Sequence, residues 1–144
     1  MDDPLALESQ VCFALAVASR GVVSAYRSVL EPLDLTHPQY LVMLALWQHG
    51  PLAVKDIAAL LDLEPATVSP LVKRLEHSGY VDRARSTHDE RVLIVTPTAA
   101  GAQLRERALA VPTTMLDRLG MDESDLQATN VVLHRIIDAA REAS

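Results

Sequence analysis

Residues 54–96 read VKDIAALLDLEPATVSPLVKRLEHSGYVDRARSTHDERVLIVT, and this stretch decides the fold. Its first apolar residues recur at positions i, i+3, i+4 and i+7, which places them on one face of a short helix: Val54, Ile57, Ala58 and Leu61. A second helix is predicted to begin at Pro65, because a first helical residue needs no N–H, and to end at Gly79 with a left-handed cap. Its predicted buried stripe is Val68, Leu71, Val72 and Leu75.

A β-hairpin is predicted after the two helices. Residues 80–85 and 91–96 are strand-forming runs, and the polar tip STHDE separates them. Two short helices followed by a hairpin with basic residues are typical of a winged helix-turn-helix, whose second helix enters the major groove of double-stranded DNA. A pure protein-interaction module is an alternative, but it leaves the wing and Pro70 unexplained. In the sixth position of its helix a proline costs about 3 kcal/mol, so we interpret the exposed face as shaped for recognition.

The composition predicts a single cytoplasmic domain. A chain of 144 residues buries a sizeable core, and 49% hydrophobic with only 3% aromatic residues predicts an aliphatic, helical one. No apolar run reaches the roughly 20 residues that span a bilayer, and the acidic start MDDP lacks the basic segment of a signal peptide. The single cysteine is therefore expected to be reduced, and no cofactor is predicted.

A net charge of −6 argues against a nucleic-acid partner, but the distribution of charge weakens that objection. Residues 73–91 carry five basic and four acidic groups. Contacts to phosphates must then come from Lys73, Arg74, Arg83, Arg85 and Arg91. So few contacts predict a modest electrostatic contribution and a greater dependence on shape and base contacts.

Apolar helices are predicted on the N-terminal side of this stretch. Asp3 and Pro4 can cap and start a helix that runs to Glu31, before Pro32. Its length of about 42 Å is too great for the small core of one winged-helix unit to cover. A second helix is expected from about Pro38 to His49, followed by a short strand over residues 51–53.

The C-terminal side is also predicted to be helical and apolar. Thr96 and Pro97 are expected to cap and start a helix that Pro112 interrupts, and the last helix follows Gly120 with Asp122 or Ser124 as its cap. We therefore predict a mainly α protein with a small β wing: a winged helix-turn-helix (37–96) with N- and C-terminal dimerisation helices (1–36 and 97–144). Two-fold symmetry would place the two reading heads ~34 Å apart on a palindromic operator.

The sequence resembles the MarR family of winged-helix transcriptional regulators over essentially its whole length. The segments that carry the resemblance are VCFAL from Val11, AYR from Ala25, LTHPQYLVML from Leu35, TVSPLVKRLE from Thr67 and DERVLI from Asp89. The residues around Cys12, together with Thr36 to Tyr40, are most similar to the organic-hydroperoxide-sensing branch of this family. The resemblance implies a homodimeric repressor, not an enzyme, that releases DNA when organic hydroperoxides oxidise the cysteine of its first helix.

The resemblance also implies roles for single residues. Thr67, Ser69 and Arg74 fall where the recognition helix of the family meets DNA. Arg91 falls on the wing arginine that enters the minor groove, and Asp89 on an acidic residue that supports the wing. Together with the exposed and basic positions of the same stretch, the predicted DNA-binding residues are Thr67, Ser69, Pro70, Lys73, Arg74, Arg83, Arg85, Asp89 and Arg91.

The predicted redox-sensing residues are Cys12, Tyr26, His37 and Tyr40. Tyr26 matches a tyrosine that hydrogen-bonds the reactive cysteine in the resembling branch. His37 stands where the branch commonly has a second tyrosine, and Ala16 where another aromatic residue is usual. A pocket with fewer phenols implies altered or weakened sensing, although a protonated His37 would stabilise a thiolate more strongly than a phenol does.

The residues by themselves leave the role of Cys12 open. A lone cysteine in an apolar helix is most often a small buried hydrophobe. If it is a thiolate instead, it needs side-chain donors, because it lies too deep in the helix for the dipole to help. Tyr26 is 14 residues further along, about 21 Å away, so it must come from the other subunit. With no second cysteine, a sulfenic acid would meet an external low-molecular-weight thiol, a backbone nitrogen or another chain, or oxidise irreversibly.

Two alternatives to the redox repressor stay open on the residues. The first is a repressor of the same fold that a small aromatic acid or similar ligand releases, with Cys12 only packed. The second is a thiol peroxidase, which is disfavoured because Cys12 lacks a strand-loop-helix context and a resolving partner. The five histidines show no HxxxH spacing, so no metal site is predicted.

Overall fold

The computed structural model describes residues 3–144, and in that range it is mainly helical with a small antiparallel sheet. The elements in chain order are α1 (Val11–Leu30), α2 (His37–His49), β1 (Leu52–Ala53), α3 (Val54–Leu61), α4 (Pro65–His77), β2 (Val81–Arg85), β3 (Leu93–Pro97), α5 (Ala99–Ala108), α6 (Val111–Leu119) and α7 (Glu123–Ala143). Short 3-10 turns precede α1 (Leu7–Ser9) and join α1 to α2 (Glu31–Leu33). The winged helix-turn-helix prediction is confirmed.

The chain forms two compact units. Residues 26–109 make the reading unit, which holds α2 to α5 and the sheet, and the chain up to Ala25 groups with residues 110–144 in the other. The core of the reading unit is aliphatic, as the composition predicts. Its large fully buried side chains come from the end of α1, from α2, α3 and α4, and from both long strands: Leu30, Val42, Met43, Leu46, Ile57, Val68, Val72, Leu75, Val81 and Val95.

The sheet has three strands in the order β1-β3-β2, all antiparallel. Val95 at its centre pairs with Leu52 on one side and Arg83 on the other, and its side chain is fully buried. The predicted short strand before α3 is thus confirmed. It ties the start of α3 to the hairpin, which forms the wing.

The first helix begins later than predicted. Helix α1 starts at Val11, not at Asp3 and Pro4. The Asp3 carboxylate accepts from the Leu5 N–H (3.0 Å) and so closes a tight local turn instead of capping a helix. Gln10 then donates its side-chain amide to the carbonyls of Pro4 and Ala6 (both 2.9 Å), which stabilises the non-helical path before Val11.

The start of α5 was also predicted two residues too early. Thr96 is still in β3, opposite Asp82, and Pro97 is the last strand residue. Thr98 is the cap, since its hydroxyl accepts from the Gly101 N–H (3.1 Å). The expected break near Pro112 is confirmed, because α5 ends at Ala108 and Pro112 lies in the first turn of α6.

The unit made of α1, α6 and α7 leaves much apolar surface uncovered. No residue of α7 is buried in this chain. Its exposed large side chains lie at helical spacing: Leu126, Val131, Val132, Ile136 and Ile137. On α1 the exposed apolar residues include Val11, Phe13, Val17 and Val23. Across residues 3–144, no helix is both long and apolar enough to cross a membrane.

Candidate nucleic-acid interface and aromatic cluster

Helix α4 divides into a buried and an exposed face. The predicted stripe is buried against the reading unit: Val68, Leu71, Val72 and Leu75. The exposed face carries five of the predicted DNA-binding residues: Thr67, Ser69, Pro70, Lys73 and Arg74. Since Pro65 occupies the first turn and Gly79 (φ 84°) follows the helix end, both ends are set by the signals read from the sequence.

Pro70 lies inside α4 and does not end it. It has no N–H to donate to the carbonyl one turn earlier, and the helix nevertheless continues to His77. One residue before it, the Ser69 hydroxyl donates to the Pro65 carbonyl (3.1 Å). The exposed face therefore presents a rigid pyrrolidine ring beside hydroxyl and basic side chains.

Arg83 on the wing is held by the recognition helix. Its guanidinium donates twice to the Glu76 carboxylate, from Nη2 to Oε1 at 3.0 Å and from Nε to Oε2 at 3.3 Å. The hydrogen bond from Arg83 holds the pKa of Glu76 below its usual range. Arg83 is predicted from the sequence as a phosphate contact, and in the structure it has a bidentate partner that fixes β2 to α4.

The wing tip carries a second ion pair. The Arg91 guanidinium donates from Nε to Asp89 Oδ1 (3.1 Å) and from Nη2 to Oδ2 (3.3 Å), and its backbone N–H donates to Oδ1 (3.0 Å). The hydrogen bond from Arg91 lowers the pKa of Asp89. The Arg91 side chain is 90% exposed, so Asp89 restricts its direction while leaving it accessible. Arg85 folds back to the Glu90 carbonyl (2.8 Å).

A cleft of about 180 Å³ separates the wing from the helix pair. Its lining residues come from the start of α3, from α4 and from the approach to β3: Ala53, Val54, Lys55, Pro65, Ser69, Arg91, Val92 and Leu93. Lys55 is not among the residues predicted from the sequence. The signal that could have found it is the short strand β1, whose pairing with β3 brings the first turn of α3 to the wing.

Three aromatic rings cluster where α1 meets α2. The Tyr26 ring lies 4.8 Å from the ring of His37 and 5.8 Å from that of Tyr40, centroid to centroid. The placement of His37 follows from a capping box, in which the Thr36 hydroxyl accepts from the Gln39 N–H and the Gln39 side chain accepts from the Thr36 N–H. Three of the four predicted redox-sensing residues are thus brought together.

The cluster is uncharged near neutral pH. Burial raises the pKa values of Tyr26 and Tyr40, the latter also through Tyr26. Burial lowers the pKa of His37 below its usual range, and the first helical position disfavours an imidazolium as well. His37 therefore offers a neutral imidazole, not the cation that would stabilise a thiolate most strongly.

Cys12 is exposed, and because α1 starts at Val11 it is the second residue of that helix. The expectation that it lies too deep in the helix for the N-terminal dipole to act on it is therefore wrong. Within the chain it is therefore not the buried small hydrophobe that a lone cysteine most often is. Among residues 3–144 no three His, Cys, Asp or Glu side chains are grouped so as to hold a metal ion.

Comparison with known proteins identifies the family of this chain. The MarR family model matches residues 35–93. The organic hydroperoxide resistance transcriptional regulator of Bacillus subtilis is 36% identical over 97% of this chain and 95% of its own length. The chain belongs to the MarR family. Its structure is similar to those of AbfR bound to DNA in the reduced state (TM-score 0.85, 32% identity, 95% and 94% of the two chains) and in the overoxidised state (0.81, 31%, 96% and 95%).

Membership of the MarR family makes this chain a transcriptional regulator. Members of the family are not enzymes, so the thiol-peroxidase alternative is excluded. All nine predicted DNA-binding residues lie inside the segment that the MarR model matches, and so do His37 and Tyr40. Cys12 and Tyr26 lie outside it, on α1. The family model therefore covers the reading head but not the cysteine.

Proposed function

We propose that this MarR-family regulator is a cytoplasmic, homodimeric repressor that leaves a palindromic operator when an organic hydroperoxide oxidises Cys12. The observation that carries the proposal is the exposure of Cys12 on α1. A cysteine that packs no core of its own chain is available to a pocket shared with a second subunit, and its chain is 36% identical to an organic hydroperoxide resistance regulator over nearly its full length.

The DNA-binding part of the proposal rests on α4 and the wing. Thr67, Ser69 and Arg74 would meet base edges and phosphates in the major groove, with Lys73 and Arg85 as further phosphate contacts. Arg91, 90% exposed and aligned by Asp89, would enter the adjacent minor groove. The two DNA-bound AbfR structures, each more than 30% identical to this chain, support this docking.

The dimer part rests on the apolar surface of the outer helices. Residues 1–36 and 97–144 would form the dimerisation region. The side chains of α7, none of them buried in one chain, would then be covered by a second copy. In such a dimer the partner subunit's Tyr26 would donate to the Cys12 thiolate, since Tyr26 of the same helix is about 21 Å away.

The chemistry follows from a single thiol. The Cys12 thiolate attacks the terminal oxygen of the hydroperoxide, an S–O bond forms, the O–O bond breaks and the alcohol leaves after taking up a proton. The sulfenic acid then condenses with a low-molecular-weight thiol to give a mixed disulfide and water. Because overoxidised AbfR was solved on DNA, we expect the bulky mixed disulfide to be the releasing form here.

The test compares wild type with Cys12→Ser in operator binding, before and after cumene hydroperoxide, with and without glutathione or a similar thiol. Wild type should lose affinity most when peroxide and thiol are both present, and mass spectrometry should find the thiol on Cys12. Cys12→Ser should bind DNA normally and ignore both reagents. Release of Cys12→Ser by peroxide would refute the redox role.

The cleft beside the wing favours a second candidate. Its mainly apolar lining, which also includes Lys55 and Arg91, suits a small aromatic carboxylate, whose binding would compete with DNA for the same face. In that case benzoate-type acids would release both Cys12→Ser and wild type from the operator. Lys55→Ala would stay bound to the operator in their presence.

A further inference from the structure

Tyr80 is fixed at the junction of the recognition helix, the wing and α5. It follows Gly79, whose φ of 84° ends α4, and it precedes β2. Its N–H donates to the Leu75 carbonyl of α4 (3.0 Å), and its carbonyl accepts from the Thr98 N–H (3.0 Å). The backbone of Tyr80 is thus tied to the recognition helix on one side and to the start of α5 on the other.

Helix α5 packs closely against this backbone. A Cβ at Gly101 would overlap the Tyr80 carbonyl oxygen, so α5 approaches to the limit that only glycine allows. The Thr98 hydroxyl in turn donates to the Gly79 carbonyl (2.6 Å). A displacement of Tyr80 must therefore displace the C-terminal end of α4 with it.

The side chain of Tyr80 reaches a distant part of the reading unit. Its hydroxyl donates to the carbonyl of Leu33 at 2.7 Å, across 47 residues of sequence. Leu33 ends the 3-10 turn Glu31–Leu33, which joins α1 to α2, and its side chain is buried. The turn is also held from α5, because Arg107 donates to the Pro32 carbonyl (2.8 Å).

The same turn connects the two elements of the aromatic cluster. Tyr26 lies on α1 just before the turn, and His37 begins α2 just after it, with the two rings 4.8 Å apart. If either ring is displaced, the ends of α1 and α2 change their spacing and the turn must follow. The Leu33 carbonyl would then move against a phenol that is rigidly joined to α4.

We propose that Tyr80 is a positioning residue, whose hydrogen bond to Leu33 transmits a displacement of the Tyr26–His37 cluster to the recognition helix. The proposal deepens the redox function and rests on it for the natural stimulus. The geometry of the link itself, from cluster to turn to Tyr80 to α4, lies wholly within the reading unit.

A double-mutant cycle on the full-length reduced protein tests the link without any oxidant. His37→Ala perturbs the cluster and Tyr80→Phe removes the hydroxyl, and operator affinity is measured for both variants and their combination. Loss of one neutral hydrogen bond changes an equilibrium about fivefold. We therefore expect the effect of His37→Ala on affinity to be about fivefold smaller in the Tyr80→Phe background.

The matched control is Trp47→Phe. It removes another long-range side-chain hydrogen bond of the reading unit, from Trp47 Nε1 to the Gly101 carbonyl (3.0 Å), without touching the turn. Both aromatic variants should melt at a lower temperature than wild type, but the cycle with Trp47→Phe should show less than twofold coupling. Equal coupling in the two cycles, or none in the Tyr80 cycle, overturns the proposal.

A second arm separates this link from the redox function. In wild type the affinity ratio of reduced to peroxide-and-thiol-treated protein is measured, and Tyr80→Phe should reduce that ratio about fivefold. If peroxide leaves wild-type binding unchanged while the cycle retains its fivefold coupling, the redox function fails and the link stands. If wild type responds and Tyr80→Phe responds equally, the link fails and the redox function stands.

Discussion

Arg91 is held in one direction by a neighbouring carboxylate and yet remains exposed. Asp89 holds its guanidinium through two side-chain contacts of 3.1 and 3.3 Å, yet the side chain is 90% exposed. Ordering a long side chain in advance reduces the entropy lost when it enters a groove. Arg83 differs, because its ion pair with Glu76 holds it partly buried against α4. Its charge is thus paired within the protein.

Substitutions of Arg74 and Arg91 should therefore weaken DNA binding in different ways. Arg74→Ala should weaken binding by ~1–3 kcal/mol at one operator position, because a base-edge contact is lost. Arg91→Ala should weaken binding most on operators with narrow A/T-rich flanks, whose minor groove attracts arginine. Affinity measured across a set of single-base operator variants distinguishes the two patterns. If both variants bind every operator as wild type does, the assigned docking is wrong.

His37 gives the stability of the protein a defined pH dependence. Burial lowers its pKa in the folded protein, so the unfolded chain takes up this proton first as the pH falls. The stability that a neutral His37 contributes is complete above its ordinary pKa near 6.5 and is lost progressively below it. The free energy of unfolding, measured in urea, should therefore fall more steeply between pH 7 and 5 for wild type than for His37→Gln. His88→Gln, at the exposed wing tip, should follow wild type; identical slopes for all three would contradict the assignment.

At the scale of elements, the sequence predicted what local patterns determine. The helices α2 to α4 and the hairpin follow from apolar periodicity, Pro65 and Gly79, all of which act within a few residues. The first turn of α1 did not follow, because Asp3 and Gln10 use their side chains on nearby backbone groups. The pairing of Arg83 with Glu76 depends on how β2 crosses α4, and tertiary packing alone sets that.

The same limit applies to the candidate site. The resemblance indicated Tyr26, His37 and Tyr40 only as single positions, whereas the structure brings their rings together through the turn Glu31–Leu33 between α1 and α2. Lys55 and Tyr80 carried no local signal. Each acquires its position from a partner far along the chain, through the pairing of β1 with β3 or the hydrogen bond to Leu33.

Helix α3 lacks a side-chain cap, and a substitution at Ala53 should supply one. Ala53 has the extended backbone of a cap residue (φ −68°, ψ 150°), but its methyl side chain makes no cap hydrogen bond. Ala53→Ser should stabilise the protein by about 1 kcal/mol through a hydroxyl that accepts an N–H of the first turn. Serine suits the site better than threonine because Ala53 is only 5% exposed. Urea denaturation measures the gain, and Ala53→Val, which adds bulk without an acceptor, should not show it; a gain from valine would attribute the effect to packing.

At the scale of the whole molecule, one chain leaves two things incomplete. The apolar side chains of α7 are uncovered. Tyr26 of the same helix is about 21 Å from Cys12, too far to contact it. The proposed symmetric dimer would resolve both, because its two-fold axis would cover each α7 with its copy and bring each Cys12 to the opposite chain. Such an interface is isologous, so every pocket would contain one residue from each subunit.

Mixed dimers can test this arrangement directly. In a dimer of one Cys12→Ser chain and one Tyr26→Phe chain, the only thiol belongs to the Tyr26→Phe chain, and the only tyrosine at position 26 belongs to its partner. If the pocket is built across subunits, that thiol has its phenol and should react with cumene hydroperoxide at the wild-type rate, with one cysteine modified per dimer. The Tyr26→Phe homodimer should react slowly, because its thiolates lack the donor. Stopped-flow rates of differently tagged, co-purified heterodimers decide the matter: a rate as slow as that of the Tyr26→Phe homodimer would mean that Tyr26 acts within its own chain or not at all.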